Sequence, residues 1–166
     1  MKKICYKGTW WPRFQSEGFA AKFIFPFATT LLSPQTRKGY DIGCMKPEWA
    51  LPGAQPIDKD FDDLWDALHL PSPAEYVFSS HMLEHVPNWV DVLDYWTHDI
   101  LKESGNQVLL YLPSYNQTYW RPWNNRKHIH IFTPQILQDY FEDRGYAEIL
   151  VSGIDLNQSF AVFAEK

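Results

Sequence analysis

The run Gln107 to Leu112, QVLLYL, constrains this chain more than any other segment. A strand with one face in water alternates apolar and polar residues, whereas a nearly unbroken apolar run suits a strand covered on both faces. The residues before it agree. Asn88 stands as a helix cap with Asp91 in capping-box style, Trp89, Leu93, Trp96, Ile100 and Leu101 form one stripe, and Gly105 marks the stop. An amphipathic helix feeding a doubly covered strand is half of a β–α–β unit.

Three shorter runs, Lys38 to Gly43 (KGYDIG), Ala54 to Asp58 (AQPID) and Glu75 to Ser79 (EYVFS), read as further strands. Pro47, Pro52 and Gly53 leave at most a short helix between the first two. Asp60 predicts a capped helix with Phe61, Leu64, Trp65 and Leu68 on one face, closed by Pro71 and Pro73. Thr133 as N-cap and Pro134 at the first helical position predict another, with Ile136, Leu137, Tyr140 and Phe141 inward and Gly145 as stop. Ala147 to Val151 and Phe160 to Ala164 close the chain as a hairpin, and Gly18 to Leu32 predicts a helix kinked at Pro26. Strands alternating with helices imply a mostly parallel sheet with helices on both faces and one antiparallel edge.

At 166 residues the chain has room for one core. A net charge of -5 argues against a protein that holds DNA over a broad basic face. Cys5 and Cys44 form neither a disulfide framework nor a paired zinc motif, so a reducing cytoplasm and no structural metal are expected. The apolar run Phe23 to Leu32 is too short to span a bilayer and is broken by Pro26, and Tyr6 to Glu17 is too mixed for a secretory signal, so no membrane partner is expected. Aromatic residues make up 17% of the chain, enough that some rings are expected to contact more than the core.

In an open parallel sheet, ligands sit at the carboxyl ends of the strands, which makes three places candidates. Asp41-Ile-Gly43-Cys44 puts a carboxylate and a bare backbone at a strand-to-loop turn. Asp58 ends the next strand at a spacing suited to an acid that accepts from ribose hydroxyls. Ser79 to Pro87, SSHMLEHVP, is a dense polar cluster leaving a buried strand.

At these places together the chain resembles the class I S-adenosylmethionine-dependent methyltransferases, in the branch whose first strand reads DIGCG and whose fourth reads roughly SSxxLEHVP. Here they stand as DIGCM and SSHMLEHVP. The segments LKESGNQVLLYLP (101 to 113) and HIHIFTPQILQDYFEDRGY (128 to 146) are similar to the family's LKPGG-plus-strand and late-helix segments, in the same order. The resemblance implies an α/β, Rossmann-like doubly wound sheet ending in an antiparallel hairpin, with S-adenosylmethionine as methyl donor. Asp41, Gly43 and Cys44 match its cofactor turn, Asp58 its ribose acid, and Ser80, His81 and Leu83 the loop beside the adenine and the methyl group. Met45 stands where the family has a second Gly, and residues 59 to 74 are too few for a full helix and strand, so shortened helices and a missing third strand are expected. Residues 1 to 37 then form an N-terminal lid or packing segment on a core of 38 to 166.

His81, Glu84 and His85 also match H-x-x-E-H, an inverted zinc-protease motif, but the strand upstream and Pro87 leave no helix to hold both histidines, so a loop-stabilising role is expected for Glu84 and His85. His128 and His130 alternate as on a strand, which would place both imidazoles on one side. With His81 they are the candidate general bases, and Tyr115, Trp120 and Arg121 are the candidate acceptor contacts. The acceptor is left open among small molecules, RNA and protein, and a homo-oligomer is a candidate assembly because a trimmed sheet leaves apolar faces to cover. Two other readings stand beside methyl transfer: a non-catalytic module that binds S-adenosylmethionine, and a nucleic-acid binder stacking bases on Trp120 and Trp123.

Overall fold

The computed structural model describes residues 1–166. Six strands form one sheet in the order β4-β3-β5-β6-β8-β7, where β3 is Gly39–Ile42, β4 Gln55–Ile57, β5 Tyr76–Ser80, β6 Gln107–Pro113, β7 Glu148–Val151 and β8 Ser159–Glu165. β4, β3, β5 and β6 run parallel, and β8 is antiparallel to both β6 and β7. Every residue of β5 and β6 is buried, as an apolar run between two layers requires. Strand order reverses at β3, which has β4 on one side and β5 on the other, so a crevice opens at the carboxyl ends of β3 and β5.

One face of the sheet is covered by α3 (Trp89–Tyr95), which continues as a π-helical turn over Trp96–Ile100, and by α4 (Pro134–Asp143). Leu93, Trp96, Ile100, Leu137 and Phe141 pack there against Val108, Leu110 and Val162. The other face is covered by α2 (Phe25–Leu32), whose Ala28 and Leu32 lie on Tyr76, Phe78, Leu109, Tyr111 and Phe163. Thr133 Oγ1 accepts the amide of Ile136 at 3.4 Å with Pro134 following it, and Gly145, at φ +72°, ends α4. Ile136 departs from its expected inward place and is exposed, one position off the buried stripe of Leu137, Tyr140 and Phe141.

Three local expectations are corrected. Residues 59 to 74 hold neither helix nor strand of the sheet, because Asp62 Oδ1 accepts the amides of Leu64 and Trp65 and Asp66 Oδ1 accepts that of Leu68, turns that compete with a helix. Trp65 and Leu68 still pack against the core. The stretch from Gly18 to Leu32 is a 3₁₀ turn, Ala20–Phe23, followed by α2, so Pro26 sits in the first turn of a helix and kinks nothing. Asn88 caps no amide; its side-chain nitrogen donates to Asp91 Oδ2 at 3.2 Å.

Ahead of the sheet, β1 (Lys3–Tyr6) and β2 (Thr9–Pro12) form a separate hairpin, followed by the single-turn α1 (Arg13–Ser16). Lys7 and Gly8, at φ +48° and +78°, supply the left-handed pair that a two-residue hairpin turn needs. No helix is long and apolar enough to cross a membrane.

Candidate active site

A cavity of about 590 Å³ lies at the carboxyl ends of β3 and β5. Small-molecule sites usually fall at roughly 300 to 1,000 Å³, and they favour such a switch point in an open sheet. Its walls come from five places: the N-terminal hairpin, the segment 15–21 that follows it, the turn after β3, the end of β5 with the loop it enters, and the loop after β6.

Asp41, at the end of β3, is fully buried, and its Oδ2 accepts the amide of Leu51 at 2.6 Å. Burial pushes its carboxyl up to about 7, against that hydrogen bond and with the help of the charge on Asp58. Gly43 adopts φ +84°, and a Cβ there would stand 2.6 Å from Met82 Cβ. Its amide donates to Ile57 O at 2.8 Å. The glycine lines the cavity, with its own amide taken by the turn and its missing side chain leaving room for Met82. Burial, with Asp41 and Asp58 nearby, pushes the Cys44 thiol up to about 12, so it lines the cavity as a neutral group. Asp58 does not line the cavity. Its Oδ2 accepts the amide of Met45 at 2.7 Å and its Oδ1 that of Asp60 at 2.9 Å.

At the end of β5, Ser79 Oγ donates to Ile42 O at 2.8 Å and ties the two strand ends together. Ser80, next along, lines the cavity, and its Oγ is buried without a partner. His81 follows at φ +51°, a conformation that costs a residue with a Cβ and is kept mostly where function needs it. Its Nε2 lies 2.8 Å from Ser159 Oγ on β8. Leu83 is fully buried in the core and does not reach the cavity.

The 3₁₀ turn Leu83–His85 carries Glu84 back under the cavity, 1% exposed, with neither carboxylate oxygen hydrogen-bonded. Three imidazoles surround Glu84 Oε1: His81 Nδ1 at 3.7 Å, His85 Nε2 at 3.6 Å and His128 Nε2 at 3.9 Å. Burial pushes the Glu84 carboxyl up to about 8. It pushes His81 down to about 3 and His128 to about 4, with neighbouring imidazoles adding to both shifts. The H-x-x-E-H segment thus brings its side chains together without an α-helix, around the Glu84 carboxyl and with His128 from a distant loop, a cluster that its sequence pattern does not show.

Of the acceptor candidates, Trp120 lines the cavity, stacked on His128 with ring centroids 5.2 Å apart and planes 11° apart. Turned inward in this way, it presents no stacking platform beside the exposed Trp123, which removes the basis of the nucleic-acid reading. Tyr115 and Arg121 lie off the cavity. The Arg121 guanidinium sits 4.5 Å from the Tyr115 ring centroid and 5.7 Å from that of Trp123, and Arg121 Nε donates to Tyr115 O at 3.1 Å. No strand forms at 128–131, so His128 and His130 do not share a face: His128 is buried at the cavity, while His130 Nε2 bonds Pro87 O at 3.0 Å away from it.

Ile4, Tyr6 and Trp11 of the hairpin also line the cavity, with Trp11 edge-on to Trp120 at 5.2 Å. Phe19 stacks on Trp49 with centroids 4.8 Å apart and also lines the wall. The one sequence signal for these was the surplus of rings.

A family model described as a methyltransferase domain matches residues 5–151. No curated protein matches the chain by sequence. Among solved structures, the chain is similar to an S-adenosylmethionine-dependent methyltransferase from Archaeoglobus fulgidus, at 16% identity and a TM-score of 0.60, over 87% of this chain and 94% of that one. It is similar to human N-acetylserotonin methyltransferase in complex with S-adenosylmethionine, at 13% identity and 0.57, over 86% of this chain and 51% of that one. A third similar structure is magnesium protoporphyrin IX methyltransferase from Synechocystis with bound S-adenosylmethionine, at 10% identity and 0.58, over 90% and 80%.

Proposed function

The chain belongs to the methyltransferase-domain family and is an S-adenosylmethionine-dependent methyltransferase, and from that premise we propose that the cavity at the ends of β3 and β5 holds the donor and the reacting part of the acceptor together. The observation that carries this reading is the cavity itself, at the switch point of the sheet, with Ser80, whose buried Oγ has no partner, in its wall. A buried hydroxyl without a partner costs free energy that a polar ligand recovers.

Asp41 and Cys44 form the floor under the donor, Ser80 and His81 its side, and Phe19 and Trp49 a flat wall suited to a purine. Asp58 keeps lone pairs beyond its two amide bonds, and these accept the ribose hydroxyls at the cavity's edge. The donor, when bound, supplies a methyl group on a sulfonium, which needs little acid-base help. The chain's part is to hold the acceptor in line with it and to exclude water. The hairpin over the cavity serves that exclusion. His81 and His128 line the cavity as neutral imidazoles, but the burial that disfavours their charged forms also makes them weak bases, and His130 lies too far from the cavity to serve.

Because the cavity must contain donor and acceptor together, the acceptor is a small molecule with a planar part, held against Trp120 and Tyr119. Free Cys5 and Cys44 suit a reducing cytoplasm. Calorimetric titration with S-adenosylmethionine and S-adenosylhomocysteine tests the donor site, and no binding of either at millimolar concentration rejects it. A screen of small-molecule, RNA and protein fractions with radiolabelled donor tests the acceptor class, and label in RNA or protein alone rejects the small molecule.

A further inference from the structure

Two of the three imidazoles around Glu84 turn lone pairs, not protons, towards it. His85 Nδ1 lies 2.7 Å from Lys127 O, and His128 Nδ1 lies 2.9 Å from Trp120 O. A carbonyl oxygen only accepts, so both Nδ1 atoms carry the proton, and in each neutral ring Nε2 is a bare lone pair. Both bare nitrogens face Glu84 Oε1, at 3.6 and 3.9 Å, and Glu84 is itself buried with no hydrogen bond to either oxygen. Two nitrogen lone pairs and the Glu84 carboxyl converge on one point, and no hydrogen bond joins them. A single proton on Glu84 would not bridge these gaps, which exceed hydrogen-bond length.

We propose that Glu84, His85 and His128 bind one divalent transition-metal ion, zinc by its ligand chemistry, in the wall of the cavity. Their ligand atoms all lie within 4.8 Å of one another. Bonds of about 2.0 to 2.2 Å in tetrahedral geometry put ligand atoms roughly 3.4 Å apart, so small side-chain movements close the site. Each imidazole already donates its other N–H to a backbone carbonyl, the outer-shell bond that metal-bound histidines almost always make. His81 lies outside the set: its Nδ1 comes within 3.7 Å of Glu84 Oε1 without joining the mutual cluster. Three protein ligands leave a fourth position open, the arrangement of catalytic zinc, and all three residues line the cavity. An oxygen, nitrogen or sulfur of the acceptor would take that position and be held more easily in its deprotonated, nucleophilic form. The metal site stands independently of the donor site; its use in methyl transfer rests on the function proposed above.

The full chain is stripped with a chelator and titrated with zinc chloride by calorimetry and with cobalt chloride by visible absorption. One equivalent of each metal binds, zinc raises the Tm, and Glu84→Gln and His128→Ala each weaken binding by about 100-fold or more. Glu84→Gln places an amide donor beside the bare imidazoles, so its metal-free Tm does not fall below the wild-type value while its zinc-dependent rise is lost. Should either variant fail to fold, His85→Ala, at a half-exposed position, gives the same reading. Absence of stoichiometric binding by folded wild type, or equal binding by folded variants, overturns the proposal. Titration of the stripped protein with S-adenosylhomocysteine separates the two sites: donor binding without zinc binding overturns the metal site alone, and the converse overturns the donor site alone.

Discussion

Asp58 accepts the backbone amide of Met45 at 2.7 Å, so the acid ending one strand holds the turn that ends its neighbour. Met45 adopts φ +67°, a left-handed conformation that a residue with a Cβ keeps only when its surroundings hold it there. The hydrogen bond to Asp58 is one such hold. Asp58 thereby shapes the cavity through Met45, which lines it, in addition to the contact with ribose proposed above.

Replacing Asp58 with Ala removes both contributions. Calorimetry with S-adenosylhomocysteine should show binding weaker by roughly 1.5 to 3 kcal/mol, the cost of hydrogen bonds to a charged group, in a chain that still folds. Unchanged affinity in the folded variant would remove Asp58 from the donor site.

Gly43→Ala meets two penalties, a positive φ and the side chain of Met82. The expected loss of stability is roughly 2 to 5 kcal/mol by urea unfolding. Adding Met82→Ala should recover the steric share and leave the backbone share. Full recovery would show that φ at this position costs nothing.

The pH dependence of stability carries the signature of Asp41. Its folded pKa, near 7, lies above its ordinary 3.8, so the folded state holds a proton that the unfolded chain has released. Stability from this group is present below pH 3.8 and is lost as pH rises towards 7, with a slope of at most about 1.4 kcal/mol per pH unit. Asp58, Cys44 and Tyr76 share its surroundings, and Asp58 is the charge that opposes its ionisation. Asp41→Asn keeps an oxygen for the Leu51 amide and removes the titration. The difference in Tm between variant and wild type should shift in the variant's favour from pH 4 to pH 7, and a constant difference would contradict the assignment.

Deleting residues 1 to 17 removes the hairpin and α1 but leaves α2 on the sheet. Donor affinity is expected to fall by about tenfold or more, while the Tm changes little, because the hairpin forms a sheet of its own apart from the central one. A large loss of Tm with affinity unchanged would make the segment a packing element and not a lid.

The amino-acid sequence by itself determined the order and type of the main elements, because those signals are local. The unbroken QVLLYL run, the Thr133-Pro134 start of α4 and the closing hairpin each rest on the period or turn chemistry of a few adjacent residues. The absent third strand was legible as a shortage of residues, although the Asx turns that replaced the helix after Asp60 were not. The tertiary structure alone decided where side chains at strand ends and in loops point. His81 turns at a positive φ, His128 reaches Glu84 from the loop beyond β6, His130 turns away to Pro87, and Trp11 folds back over Trp120. Those directions follow from hydrogen bonds and ring contacts between residues far apart in the chain. No window of neighbouring residues contains both partners, so no local period could have revealed them.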